Sequence, residues 1–300
     1  MHTSTREFTT VSAIEDAVPR VHPLADVWYG LRRHHASLIG LAVLALFALL
    51  AVAAPVVTPY DPEKQVLRDA LLDPSLSHPL GTDYLGRDIL ARILYGARYS
   101  LSIGFMAVAI GIAVGVPLGS ISGYYGGKID LVVQRFVDIL LSFPGFLLAL
   151  SLVATLGVGI ENVIISVGIS STPSFVRLTR ASTLSIRSLT YVEAARALGA
   201  KDGRIISLHV MRNSLAPVIV QATLSLGSAI LLAAGLGFLG LGVQPPTPEW
   251  GTMLGEGRNY IFSNPNMATF PGIAVFLAVL AFNLVGDGLR DALDPRLRKR

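Results

Sequence analysis

The chain has no cysteine among its 300 residues, which excludes disulfides and thiolate metal sites. Charge is scarce: Asp, Glu, Lys and Arg make up 15% of the residues, where a soluble domain carries about 25%. The six histidines form no H-E-x-x-H pair on a helix. His34 and His35 are neighbours on different helix faces and read as an interfacial pair. No G-x-x-x-x-G-K-[ST] occurs, since Gly127-Lys128 runs on into Ile129, so a P-loop is excluded. No G-x-S-x-G elbow occurs either. Gly235 to Gly240 fits G-x-G-x-x-G, but it lies in an apolar run and not after a strand, so its context fails the dinucleotide reading. No basic run with interleaved aromatics points to nucleic acid. The sequence therefore offers no catalytic set, no cofactor-binding residues and no metal ligands.

What is abundant is apolar: 52% of the residues are hydrophobic, the composition of an integral membrane protein. A crossing helix needs about 20 mostly apolar residues. Six such stretches are read: Ala36–Val57, Ser100–Ser122, Phe136–Val158, Val163–Val176, Leu215–Gly242 and Ala268–Gly286. The fourth is short, rich in Ser and Thr, and holds Pro173. It needs neighbouring helices to satisfy its backbone. The fifth is long and ends in glycines, which predicts a bend or a re-entrant turn. Arg32-Arg33, the first apolar run and Ala51-Val52-Ala53 imitate a signal peptide. That run starts far from the N-terminus and continues to Val57, so it reads as an uncleaved anchor. Residues 1–35 read as a cytoplasmic tail without periodicity, 58–99 as an extracytoplasmic loop, and 100–300 as the core.

Basic residues set the orientation. With the N-terminus inside, eighteen Lys and Arg fall on the cytoplasmic side and six outside, where they meet nine acids. The expected architecture is all-α, a polytopic membrane bundle of six transmembrane helices with N- and C-termini cytoplasmic. Ionisable residues within the spans are few: Asp138 and Asp287 near cytoplasmic ends, and Glu161 at the outer edge. None forms a mid-membrane relay, which counts against a proton-coupled carrier. Asp138 is expected to pair with Arg135 across one turn.

Ala107, Gly111, Gly115, Gly119 and Gly123 recur every four residues and let another helix approach closely. The partner helix lies either in the same chain or across a moving or subunit-facing contact. Pro117 and Pro144 can kink the second and third spans. Ser151, Ser170, Ser171 and Ser225 either line a path or bond between helices. On the outside, HPLGTDYLGRDILARILYGARYSL (78–101) predicts an amphipathic interfacial helix from Tyr84, capped by Asp83, with Asp88 and Arg92 paired at i,i+4. QPPTPEWG (244–251) predicts a short helix with Thr247 as N-cap and Pro248 at N1. Pro245, Pro246, Glu249 and Trp250 are the candidate docking residues for an outer partner.

The loop 177–212 is too long for a simple connection between helices. Tyr191–Leu198 predicts a helix, Gly199 its left-handed stop, and Asp202-Gly203-Arg204 the start of a second helix. Alanines give the first helix a thin face able to enter a groove on another protein, with Glu193 and Arg196 orienting it by charge.

YVEAARALGA (191–200) resembles the EAA motif of ABC-importer permeases. Glu193, Ala194, Ala195 and Gly199 match its core, and Asn213 and Pro217 extend the match. Arg212 stands where that family commonly has proline. HPLGTDYLGRD with YGARYSL, and FLGLGVQPPTPEWGTMLGEGRNY, resemble the C-type permease subunit of dipeptide, oligopeptide and nickel importers. The resemblance spans at least His78 to Pro295. It implies the type I ABC-importer permease fold and a bacterial inner-membrane location. It also implies a heterodimer with a homologous B-type permease, one or two cytoplasmic ATPase subunits that bind ATP and Mg, and an extracytoplasmic substrate-binding protein. The coupling helix would then comprise Glu193, Ala194, Ala195, Arg196 and Gly199. Peptides are the implied substrate, with nickel or another small solute as the alternative. A secondary carrier working without ATPase subunits is the rival of another class.

Overall fold

A computed structural model describes residues 31, 32 and 34–293, so most of the expected N-terminal tail lies outside the described residues. Among the described residues there is no strand, only an isolated bridge between Thr82 and Asp88. The helices are α1 (His35–Val57), α2 (Ile89–Tyr125), α3 (Gly127–Leu141), α4 (Gly145–Leu156), α5 (Ile160–Ile186), α6 (Thr190–Ala197), α7 (Asp202–Arg204), α8 (Leu215–Phe238), α9 (Trp250–Gly257) and α10 (Asn266–Leu293). A π-helical segment, Ile205–Met211, continues α7. Helices α1, α2, α8 and α10 are long and apolar enough to cross a membrane, and the bent pair α3–α4 makes a fifth crossing if counted as one.

Several expectations change here. The expected interfacial helix does not stand apart from the second span. Its residues from Ile89 onward are the first turns of α2, which runs unbroken for 37 residues. Asp88, not Asp83, is its N-cap, accepting from the Ala91 amide at 2.7 Å. Asp83 closes the preceding turn by accepting from the Leu85 and Arg87 amides. The third span is two helices meeting at 89°. Pro144 starts the second of them, so the break falls where proline disfavours a helical predecessor. The fourth span is longer than expected: α5 passes through Pro173 and ends at Ile186. Thr172, Ser170 and Thr183 back-bond to carbonyls four residues earlier, which satisfies their hydroxyls within the helix. Asp138 pairs with Arg177 of α5 at 2.8 Å rather than with Arg135.

The small-residue stripe has its partner inside this chain. A Cβ on Gly111 would come 2.5 Å from Ser171 Oγ, on Gly115 2.5 Å from Phe175 Cβ, and on Gly119 2.5 Å from the Val176 carbonyl. On Gly123 it would come 2.8 Å from Thr183 Cβ. Ala107 is fully buried and its carbonyl faces Gly168 of α5. The stripe is therefore the α2–α5 contact. At its Gly123 end, Arg180 of α5 grips Asp130 of α3 with two hydrogen bonds of 2.6 Å, and Arg187 donates to the Gly123 carbonyl at 2.9 Å.

Packing divides into three cores. The largest joins α2, α4, α5 and α8 around Ile103, Val153, Phe175 and Ile230. A second, centred on Trp250, joins α1, α2, α9 and α10. A third, small one holds Tyr124, Ile186, Val192, Ile205 and Val210 at the far end of α2. That end carries the 177–212 loop.

Candidate functional site

Helix α6 sits on the third core by one residue: Val192 is fully buried, while its neighbours Tyr191 and Glu193 are exposed. The helix ends in two complementary bonds, Gly199 N–H to the Arg196 carbonyl (2.9 Å) and Ala200 N–H to the Ala195 carbonyl (3.0 Å). This is the Schellman pattern, and it needs a left-handed residue at Gly199, whose φ is +85°. The predicted glycine stop is thus realised as a defined cap.

The side chains of α6 divide by face. Thr190, Glu193, Ala194, Ala197 and Leu198 form one outward stripe, at helical i, i+3, i+4 spacing. Leu198 is 89% exposed, an apolar tip with no cover among the described residues. Ala195 is half-buried beneath the stripe. Arg196 reaches back to α2. Its Nη2 donates to the Tyr124 hydroxyl (3.1 Å), and its guanidinium lies over that ring at 5.5 Å. The Tyr124 hydroxyl in turn donates to Asp202 Oδ1 at 2.7 Å. The hydrogen bond to Tyr124 favours the charged form and raises the Arg196 pKa. Arg196 therefore fastens α6 to α2 of its own chain.

A second link runs into α8. Asn213 donates from Nδ2 to the Tyr191 hydroxyl at 3.0 Å. Two side chains bond back beside the π segment: Ser214 Oγ donates to the Val210 carbonyl at 2.9 Å, which also accepts the Ser214 amide at 3.0 Å, and Asn213 donates to the His209 carbonyl. Arg212 is exposed and leaves the helical path from the π segment continuous into Asn213. Tyr124, Tyr191 and Leu198 are the residues that sequence reasoning missed. Tyr124 carries no local signal, being 72 residues from Arg196.

The opposite end of the molecule is charged but closed. Arg87 and Arg92 are buried, and both donate to Glu256 of α9 at 3.1 Å. Arg87 Nε also reaches Asp83 Oδ2 at 2.5 Å. Burial alone would lower the Arg87 pKa, but the carboxylates of Asp83 and then Glu256 outweigh it and raise it. Burial, reinforced by Glu256, also raises Tyr84, so its phenol stays protonated and donates to Glu256 at 3.2 Å. Asp88 pairs with His78 at 3.0 Å and not with Arg92.

Glu249, not Thr247, caps α9, accepting from the Gly251 and Thr252 amides at 2.9 and 2.8 Å and from Ser100 Oγ at 2.9 Å. Trp250 donates from Nε1 to the Ile93 carbonyl at 3.0 Å. Both residues are buried (2% and 0% exposed), so neither presents a docking surface. Of the four residues read as one outer patch, only Pro245 and Pro246 are exposed. Among the described residues no group of three or more His, Asp and Glu is placed to hold a metal ion.

Residues 115–299 match the family described as the binding-protein-dependent transport system inner membrane component. This span includes α5, α6 and α8 to α10. The chain belongs to this permease family. Residues 22–74 match a second description, the N-terminal transmembrane domain of oligopeptide transport permease C. The chain is 47% identical over 284 residues to the dipeptide transport system permease protein DppC of Alkalihalophilus pseudofirmus, covering 95% of this chain and 93% of that one. It is also 47% identical to the glutathione transport system permease protein GsiD of Pectobacterium atrosepticum, covering 96% of each. Among solved structures, an inward-facing MetNI methionine ABC transporter chain aligns with a TM-score of 0.56 at 21% identity, over 68% of this chain and 96% of that one. At that identity the likeness supports the ABC-importer permease fold alone. This permease is thus a multi-pass inner-membrane component of an ABC importer.

Proposed function

We propose that this permease forms one membrane half of a peptide importer and moves its substrate by alternating access, driven by separate ATPase subunits. In this reading the chain crosses six times with both ends cytoplasmic, α5 supplying the fourth crossing behind the other helices. Its membrane partner is a homologous B-type permease, and an extracytoplasmic binding protein delivers the substrate near Pro245 and Pro246. ATP and Mg belong to the ATPase subunits. The observation that carries the reading is the outward stripe of α6, held on a rigid mount and ending in exposed Leu198. Such a stripe suits a groove on another protein. Peptides are favoured over nickel because full-length relatives at 47% identity are named for a dipeptide and for glutathione, itself a short peptide.

The test is reconstitution of the complete importer in liposomes with either Leu198→Glu or Glu193→Lys. Expected is loss of dipeptide uptake while the ATPase subunits keep a basal hydrolysis rate and the permease stays inserted. Uptake at the wild-type rate in both variants would remove the coupling role. Uptake by the permease alone along an ion gradient would favour a secondary carrier.

A further inference from the structure

Pro55 lies inside α1 and has no N–H, so the Ala51 carbonyl loses its helical donor. Arg98 of α2 takes that place. Its Nε donates to the Ala51 carbonyl at 2.6 Å and its Nη2 to that of Val52 at 3.3 Å, while the guanidinium lies over the Tyr95 ring at 5.1 Å. Nη1 has no protein hydrogen bond among the described residues. Beside it opens a cavity of about 540 Å³ whose polar lining includes Tyr60, Asp61, Glu63, Tyr95, Arg98 and Tyr99. Asp61 accepts only the Glu63 amide, and neither carboxylate forms an ion pair among the described residues. One cation with a spare donor and two unpaired anions therefore share a cavity without neutralising one another.

Where this cavity lies decides what it can take. Arg98 precedes Tyr124 on α2 by about 39 Å of helix, so the cavity is at the end opposite the coupling segment. The helix beside it is bare, with Val52 77% and Val56 90% exposed. Exposed apolar residues followed by a cluster of tyrosines mark the boundary between hydrocarbon and water. Guanidinium pairs with phosphate. Carboxylates and tyrosine faces attract an ammonium.

We infer that this cavity seats the headgroup of a zwitterionic aminophospholipid. The phosphate sits on Arg98, the ammonium between Asp61 and Glu63, and the acyl chains along Val52 and Val56. A primary ammonium donates hydrogen bonds to the two carboxylates, whereas a choline group donates none, so the site discriminates between these headgroups. The inference rests on the topology proposed above only in assigning the lipid to the outer leaflet.

Native mass spectrometry of the full chain, purified in detergent with whatever subunits accompany it, tests this directly. Phosphatidylethanolamine, phosphatidylcholine and phosphatidylglycerol are offered in equal amounts. Expected is retention of phosphatidylethanolamine about fivefold over each of the others, the scale of one exposed charge contact. In the Asp61→Asn/Glu63→Gln double variant, which leaves the Arg98 bonds to α1 intact, that preference should vanish. Arg98→Gln should lower retention of all three lipids. Equal retention by the wild type, an unchanged preference in the double variant, or displacement of the lipid by free dialanine would each overturn the proposal. None of these readouts involves ATP or uptake, so failure here leaves the importer reading standing.

Discussion

A single methyl group separates two kinds of glycine in this chain. Gly115 faces Phe175 so closely that a Cβ would lie 2.5 Å from the Phe175 Cβ and 3.0 Å from the Thr172 carbonyl. Neither neighbour is the free end of a flexible side chain, so Gly115→Ala must push α2 from α5. The expected cost is about 1–3 kcal/mol, as for other overpacked cores. Gly203, in contrast, meets nothing within 4 Å, and Gly203→Ala should change stability by less than about 0.5 kcal/mol. Thermal unfolding in detergent checks the pair, and equal midpoints for the two variants would contradict the packing account. The four-residue period of the stripe was legible in the sequence because it is a local property of one helix. Its partner was not, because Phe175 and Thr183 belong to a helix whose polar face hides its length. Gly199 was fully legible: a glycine after an alanine-rich turn calls for a left-handed stop, and the cap has that form. Gly199→Pro fixes φ near −65° and removes the N–H that bonds Arg196, so α6 should lose its cap. Faster proteolysis within residues 190–205 is the expected sign.

Helical periodicity misled the reading of whole elements where charge was involved. An amphipathic helix beginning at Tyr84 would put Arg87 and Arg92 on its polar side. The chain instead turns at Asp83, starts its helix at Ile89 and buries both guanidiniums against Glu256, a residue 164 positions beyond Arg92. No local pattern announces such a partner. Glu256→Ala breaks a buried pairing and leaves Arg87 and Arg92 to share Asp83, so it should destabilise by about 3–5 kcal/mol, far beyond a surface change. A midpoint within a degree of the wild type would show that water already compensates these arginines. The second element-scale device is the bond between Asn213 and the Tyr191 hydroxyl, which ties α6 to the entrance of α8. Tyr191→Phe keeps the ring against His209 and deletes that bond alone. If the tie transmits motion, ATP hydrolysis in the reconstituted importer should continue while uptake per ATP falls. A proportional fall of both rates would assign Tyr191 to ATPase binding instead.

At the scale of the molecule, the six apolar runs correspond to four helices long and apolar enough to cross a membrane, one broken pair and the more polar α5. Run counting treats each span as a cylinder in lipid. It cannot see that α5 packs against α2, α4 and α8, with the hydroxyls of Ser170, Thr172 and Thr183 bonded back to their own helix. The proposed topology puts Leu76 and Leu198 on opposite sides of the membrane, and both side chains are nearly fully exposed. The chain contains no cysteine, so Leu76→Cys and Leu198→Cys each introduce one unique thiol without further engineering. A membrane-impermeant maleimide should label the first in intact spheroplasts and the second only after permeabilisation. Labelling of Leu198→Cys in sealed cells would invert the topology and with it the coupling role of α6. Adding the ATPase subunits to permeabilised membranes should then slow labelling at 198 and leave labelling at 76 unchanged. Such protection would mean that the outward stripe of α6 is covered by a cytoplasmic partner, the condition that alternating access driven from that side requires.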